Sequence, residues 1–399
     1  MKTINKLKNL SGKIVLLRVD YNVPLKKSKI LDDEKIIKSL PTIQALQAKE
    51  AKIIIVTHLG RPEGKIVPTL KVNPLALRLG ELLKQRIVKL DSKNWAKSGG
   101  DQMRLEMLTT IDAMRPGEVA MLENIRFSKD EEGNKGTLAE ELANLADIFV
   151  LDGFAVSHRA DASVVGVAKY LPVFAGLLME TEVKALSKVL QRPRKPLVAI
   201  IGGIKAETKI PVIKNLLKKS NYILIGGGIV STYLYALGFK IGSSVVDKKY
   251  AKEILQYCKN KKVIKPLDVV VGDIKGKKYW VKDLDKNFKI TDKNLAIYDI
   301  GPKTIHEFSK IIKKAKTIVW NGAMGYFEQH PYENATYSIA RLVATRSKGP
   351  AFGVVGGGET LLSLEAVKMS EYVDHISTGG GAMLEFLSGK KLPGVKVIS

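Results

Sequence analysis

The sequence predicts an α/β protein made of two doubly wound, parallel-sheet, Rossmann-like domains joined by an interdomain helix. Three observations predict it. Short apolar runs rich in Val and Ile recur along the whole chain, separated by stretches long enough for a helix. The runs are apolar on both faces, as strands buried between layers of helices must be. At 399 residues the chain is too long for one ordinary core and suits two domains.

In the first half the strand-like runs are KIVLLRVD (13–20), AKIIIVTH (51–58), EVAMLEN (118–124) and DIFVLD (147–152). In the second half they are PLVAIIGG (196–203), YILIGGG (222–228), LDVVVG (267–272), TIVWNG (317–322) and AFGVVGGG (351–358). Spacers such as LPTIQALQAKE carry helical periodicity, and this alternation is what doubly wound sheets require. Between the halves, residues 171–195 hold a helix-spaced stretch that the following Pro-Arg-Lys-Pro ends. The expected domains are therefore 1–170 and 196–386, with an interdomain helix and linker at 171–195.

Composition narrows the class. Hydrophobic residues make up 45% and charged residues 26%, the balance of a globular protein, and no apolar run is long enough to span a bilayer. The start, MKTINKLKNL, alternates lysine with single apolar residues and lacks the continuous apolar stretch of a secretory signal. Cys258 is the single cysteine, which excludes an intrachain disulfide and a multi-cysteine zinc site. A cytoplasmic location and no membrane partner are the expectations. The formal charge is +25, from 65 Lys+Arg against 40 Asp+Glu, a field that favours anionic partners. Segments such as KKSK, LKKS, KNKK and KGKKYW supply much of it, and solvated lysine faces explain them without a partner. Non-specific nucleic-acid binding stays open, although no RNA-recognition signature, zinc-finger spacing or basic heptad accompanies the charge.

Ligands of open α/β sheets bind beyond the carboxyl ends of the strands, and the two halves put different chemistry there. First-half strands run into Asp20 and Asn22, His58 and Arg61, Arg126, then Asp152, His158 and Arg159. Guanidinium forks pair bidentately with carboxylate and phosphate, so the set suits a small, doubly anionic substrate. Any one of these arginines is more often a surface ion-pair partner; their recurrence after successive strands is what counts. Second-half strands run into glycine: Gly202 and Gly203, Gly226 to Gly228, Gly356 to Gly358, and STGGG at Ser377 to Gly381. Such runs let backbone approach a nucleotide, although tight helix–strand packing also selects glycine. There is no G-x-x-x-x-G-K-[ST] and no G-x-G-x-x-G, which excludes a P-loop enzyme and disfavours a nicotinamide dehydrogenase. GGIKAETK carries Lys205 and Lys209 at i and i+4, expected on one face of the opening turns of a helix. In VVGGGETLL a helix starting at Thr360 would aim N–H groups at an anion, and Glu359 makes sense there through a magnesium ion, or else as a helix cap. Together these point to a kinase for a small acidic metabolite, whose chemistry is mostly positioning and positive charge.

The chain resembles the phosphoglycerate kinase family from end to end. The matching stretches are RVDYNVP (18–24), SLPTI (39–43), THLGRP (57–62), LENIRF (122–127), HRADAS (158–163) and AGLLME (175–180). They continue with GGIKAETKI (202–210), IGGGI (225–229), DIGPKT (299–304), WNGAMGYFE (320–328), GGGET (356–360) and HISTGGGAMLEFLSGKKLPG (375–394). The resemblance implies reversible phosphoryl transfer between 1,3-bisphosphoglycerate and ADP, giving 3-phosphoglycerate and ATP, with magnesium. It implies a monomer whose domains move as a hinge and whose tail, 387–399, returns to the first domain. It places the 3-phosphoglycerate site at Asp20, Tyr21, Asn22, Lys35, His58, Leu59, Gly60, Arg61, Arg126, His158 and Arg159. It places the nucleotide at Gly203, Lys205, Lys209, Gly227, Gly228, Asn321, Gly325, Glu328, Gly357, Gly358, Glu359 and Thr360. Asn321 and Glu328 fall around the adenosine, Glu359 at the metal, and Lys35, Lys205, Lys209 and Gly380 at the transferring group.

Departures from the family pattern lie in the same loops. DDEKI puts Lys35 where the family usually has arginine, keeping the charge and losing the planar fork. Glu359 stands for the usual aspartate, one methylene longer against an ion that demands octahedral geometry. Ala155 and Val156 replace a glycine and a hydroxyl, and Ala323 replaces a proline. Thr208 falls at a position the family varies. An active kinase is the expectation; the alternative is a weakened paralogue that binds polyanions.

Overall fold

The computed structural model describes residues 1–90 and 101–399. The chain divides into two compact units, Met1–Val183 with Lys391–Ser399, and Lys184–Lys390.

The first unit is organised by a six-stranded sheet of β1 (Ile14–Arg18), β2 (Lys52–Val56), β3 (Val88–Leu90), β4 (Val119–Leu122), β5 (Ile148–Leu151) and β6 (Val173–Ala175). Its order is β3-β4-β2-β1-β5-β6 and every pairing is parallel. Leu17 of β1 stands opposite both Ile55 and Val150, and all three are fully buried, so the middle of the sheet is apolar in every direction. Helix α1 (Glu34–Gln47) buries Ile36, Ile43 and Leu46 in the same core. Both chain ends are tied here: Lys2 N–H donates to the Ile398 carbonyl at 2.9 Å, and Gly394 N–H to the Ser157 carbonyl at 2.8 Å.

Helix α2 (Leu177–Gln191) crosses the division between the units. Its first N–H groups have no partner within the helix, and side chains of the first unit satisfy them. Leu177 N–H donates to Thr42 Oγ1 at 2.9 Å, and Leu178 and Met179 N–H donate to Asp152 Oδ1 at 3.0 and 3.2 Å.

The second unit has its own six-stranded sheet, from β7 (Leu197–Ile201), β8 (Tyr222–Ile225), β9 (Val263–Ile264), β13 (Thr317–Asn321), β14 (Phe352–Gly356) and β15 (His375–Ser377). The order is β9-β8-β7-β13-β14-β15, so the winding reverses between β7 and β13. That reversal opens a crevice at the strand ends, where ligands of doubly wound sheets bind. The run 267–272, expected among the parallel strands, is β10 (Asp268–Gly272), the centre of a separate antiparallel sheet with β11 (Tyr279–Asp283) and β12 (Ala296–Ile300). An apolar run reports burial, not the direction of its partners.

Candidate functional site

In the first unit the loops after β1, β2 and β4 converge. Asn22 Oδ1 accepts from Gly60 N–H at 2.9 Å, and the Gly60 carbonyl accepts from Arg126 Nη1 at 3.0 Å. Lys35, in the first turn of α1, reaches Asp20 Oδ2 at 2.7 Å and the Asn22 carbonyl at 3.2 Å. His58 Nδ1 lies 3.7 Å from Asp20 Oδ1. Arg126 is almost fully buried, paired with Glu132 at 3.3 Å and Asp161 at 3.9 Å, yet its Nε and Nη2 make no hydrogen bond. Arg159 shares Glu132 at 3.2 Å. Burial pushes the Asp20 carboxyl up, but Lys35, His58 and the Asn22 N–H outweigh it and hold it below the ordinary value. Burial drives His58 well below its usual range, and Arg18, Arg126 and Lys35 add to that against Asp20. The ring is therefore neutral at physiological pH.

In the second unit the loops after β7 and β13 pass so closely that a Cβ on Gly202 would overlap the Ala323 carbonyl. Gly203 N–H donates to that carbonyl at 2.8 Å, Gly228 N–H to the Gly203 carbonyl at 3.0 Å, and Gly227 N–H to Met324 O at 2.7 Å. Helix α3 (Ala206–Lys219) follows Gly203, helix α4 (Gly228–Ala236) follows Gly227, helix α5 (Gly358–Ala366) follows Gly357, and helix α6 (Gly380–Leu387) follows Gly379. Beside them lies a cavity of about 420 Å³ whose walls include Gly203, Gly227, Gly228, Tyr298, Gly325 and Glu328. It is largely apolar, with Ile297, Ile300 and Val230 in its walls, the character of a site for a flat base. Lys209, buried on α3, donates to Asn321 Oδ1, and Asn321 Nδ2 donates to the Gly356 carbonyl at 2.6 Å. Thr360 Oγ1 accepts Gly322 N–H at 2.7 Å. Burial lowers Lys209 to about 8 against the pull of Glu359.

One expectation changes. Lys205 and Lys209 do not share a helical face: Lys205 is the extended residue before α3 and is exposed, whereas Lys209 is buried. Asn321, expected around the adenosine, is buried and accepts a hydrogen bond from Lys209. Tyr21 is fully buried with its hydroxyl on Ser39 Oγ at 2.6 Å, and Leu59 is buried too, which leaves only their backbone for a ligand. Arg61 is exposed and makes no ion pair among the described residues, and His158 is half-buried beside Arg159 in the chain. Glu359 and Gly357 are half-buried and Gly358 exposed. Sequence reasoning missed Arg18, Glu131 and Ser163. Arg18 ends β1 fully buried, its Nε on Ser163 Oγ at 2.7 Å, while Ser163 Oγ donates to Glu131 Oε1 at 2.5 Å. An arginine at the end of an apolar run was the available signal.

A magnesium ion suits the glycine cradle without a full protein cage, because such ions usually take one or two carboxylates with phosphates and waters. The Glu359 carboxylate would supply one: it stands 3.4 Å from where a Cβ on Gly203 would lie, over the turn that starts α3. Among the described residues no group of three or more metal-binding side chains exists.

Two open parallel sheets, one ending in guanidinium and imidazole groups and the other in glycine turns around a buried lysine, define a two-unit phosphotransferase. The family model for phosphoglycerate kinase matches residues 4–390. The phosphoglycerate kinase of Dictyoglomus turgidum is 45% identical over 406 residues, covering 100% of this chain and 98% of its own. That of Borreliella afzelii is 42% identical over 403 residues, covering 100% and 99%. The structure of phosphoglycerate kinase from Coxiella burnetii superposes with a TM-score of 0.86 at 39% identity, over 99% of this chain and 98% of that one. The enzyme of Pyrococcus horikoshii gives 0.84 at 32% identity, over 100% and 98%. The chain belongs to the phosphoglycerate kinase family, and is thus a kinase whose acceptor is a carboxyl group. Nothing in these comparisons favours a polyanion-binding paralogue. No helix among the described residues is long and apolar enough to cross a membrane.

Proposed function

We propose that the first unit binds 3-phosphoglycerate or 1,3-bisphosphoglycerate and the second binds ADP or ATP with magnesium. The observation that carries this reading is Arg126, a buried guanidinium with two nitrogens unspent in hydrogen bonds, held to the Gly60 carbonyl and acting on a neutral His58. Buried donors of this kind suit an anion. Asp20, Asn22, His58, Gly60, Arg61, Arg126, His158 and Arg159 hold the acid, with Lys35 steadying the phosphoryl group in flight. The cavity walled by Gly203, Gly227, Gly228, Gly325 and Glu328 takes the adenosine. Lys205, Lys209 and the turns at Gly357, Gly358, Thr360 and Gly380 take the phosphates. When bound, magnesium neutralises phosphate oxygens beside Glu359. The working enzyme is a cytoplasmic monomer.

A coupled assay for ATP formation from 1,3-bisphosphoglycerate tests the reading, with magnesium and manganese titrated in the natural protein and in Glu359→Asp. Turnover in both, with shifted metal dependence, is the expected result. Identical metal profiles would leave Glu359 an acidic first-turn residue of α5 with no metal role, and no turnover with either ion would defeat the assignment.

A further inference from the structure

We infer that Arg18 positions His58, fixing the ring as the neutral tautomer with its proton on Nε2, so that His58 meets its ligand as a hydrogen-bond donor. The inference rests on the reading of this unit as the acid-binding one. Arg18 Nη2 lies 3.4 Å from His58 Nδ1. A guanidinium has only donors, so a hydrogen bond between these atoms requires Nδ1 to accept. The competing arrangement, Nδ1–H to Asp20, would span 3.7 Å, and Asp20 already accepts from Lys35 and from Asn22 N–H. Nε2 has no hydrogen bond among the described residues and is the nitrogen left for a ligand.

What makes Arg18 a fixed device is its own anchoring. The guanidinium is fully buried, with Nε on Ser163 Oγ at 2.7 Å, Nη1 on the Val19 carbonyl and Nη2 3.8 Å from the equally buried Glu131. Glu131 in turn accepts the Ser163 N–H at 2.9 Å and its hydroxyl at 2.5 Å. The fork cannot turn away without leaving buried groups unpaired, so the face it shows to His58 is set by the fold. Asp20, Lys35 and Arg126 are the other charged groups acting on the ring, and the two cations disfavour an imidazolium. A neutral ring with Nε2–H is a donor suited to an anionic or hydroxyl oxygen, and it has no acceptor free to serve as a base there.

Nitrogen-detected NMR of the uniformly labelled full chain at pH 7 reads the tautomer directly, with His58 assigned by its loss in His58→Gln. Expected are an unprotonated Nδ1, a protonated Nε2, and movement of Nε2 on adding 3-phosphoglycerate. A protonated Nδ1 or a charged ring would overturn the inference. If no histidine signal moves with 3-phosphoglycerate, the site assignment fails, while the tautomer is still decided by the unliganded spectrum. In kinetics, His58→Gln, whose amide nitrogen stands near Nε2, should retain the KM for 3-phosphoglycerate within about threefold, whereas His58→Asn raises it about tenfold or more. Equal effects of the two would also count against the idea. Ser163→Ala, gentler than replacing Arg18, should mix the tautomers and raise that KM without changing the KM for ATP; a raised ATP KM would show general damage instead.

Discussion

At the residue scale the chemistry is concentrated in a few charged groups whose surroundings set their protonation. Lys209 carries its proton at about 8 instead of the ordinary 10.5, since burial penalises the ammonium. The folded protein thus binds fewer protons than the unfolded chain between those values. Stability gains from Lys209 as pH rises through that window, while the charge that its proposed role offers to a phosphate is lost with the proton. Nucleotide affinity in the unliganded enzyme should fall above about pH 8, and Lys209→Arg should remove that fall; isothermal titration across pH checks both. Lys35→Arg restores a planar fork and is expected to keep or raise kcat, whereas a large drop would show that the loop has settled around lysine. The charged side chains gathered in the first unit were legible as candidates because arginine and histidine just after apolar runs are conspicuous. That Tyr21, Leu59 and Asn321 turn their side chains into the protein was not legible, because adjacency in a motif does not say which way a side chain points.

At the scale of elements, strand ends and helix starts do the positioning. Asp152 caps α2 with a carboxyl that burial raises to about 6, although Thr42 and the N–H groups of Met179 and Leu178 oppose the rise. Below the ordinary value of 3.8 both states are protonated; between 3.8 and about 6 the folded state holds the extra proton, so raising the pH costs stability. The loss, complete above that range, is about 3 kcal/mol. Asp152→Asn should flatten this part of the pH profile in urea unfolding, with an unchanged slope as the contrary result. Gly202→Ala forces a methyl group into the Ala323 carbonyl and should destabilise by about 1–3 kcal/mol or more, with loss of nucleotide binding, seen in thermal melts with and without ATP. Long strands were legible from apolar runs. The edge strands β3, β6, β9 and β15 were not, since two or three residues carry no period, and β10 was misplaced because its antiparallel partners β11 and β12 are exposed or mixed in character.

For the whole molecule, two sheets with different strand orders were expected only as a pair of doubly wound layers; the orders themselves depend on crossovers that composition does not encode. The net charge of +25 is a property of the entire surface. Its self-repulsion should relax as salt rises from about 20 to about 200 mM, so the melting temperature is expected to climb over that range while the KM for the acidic substrate increases. A melting temperature independent of salt would show that the lysines are neutralised locally. The crossing of the Gly202 and Gly322 loops bears on how this chain can vary. A Cβ at either position meets main-chain atoms of the other loop, and Gly322 also sits at φ +92°. No substitution elsewhere can trim a main-chain carbonyl, so lesions at these two glycines have no second-site suppressors, whereas a crowded side chain in the core could be relieved by a smaller neighbour. Genetic selection for revertants would return glycine alone.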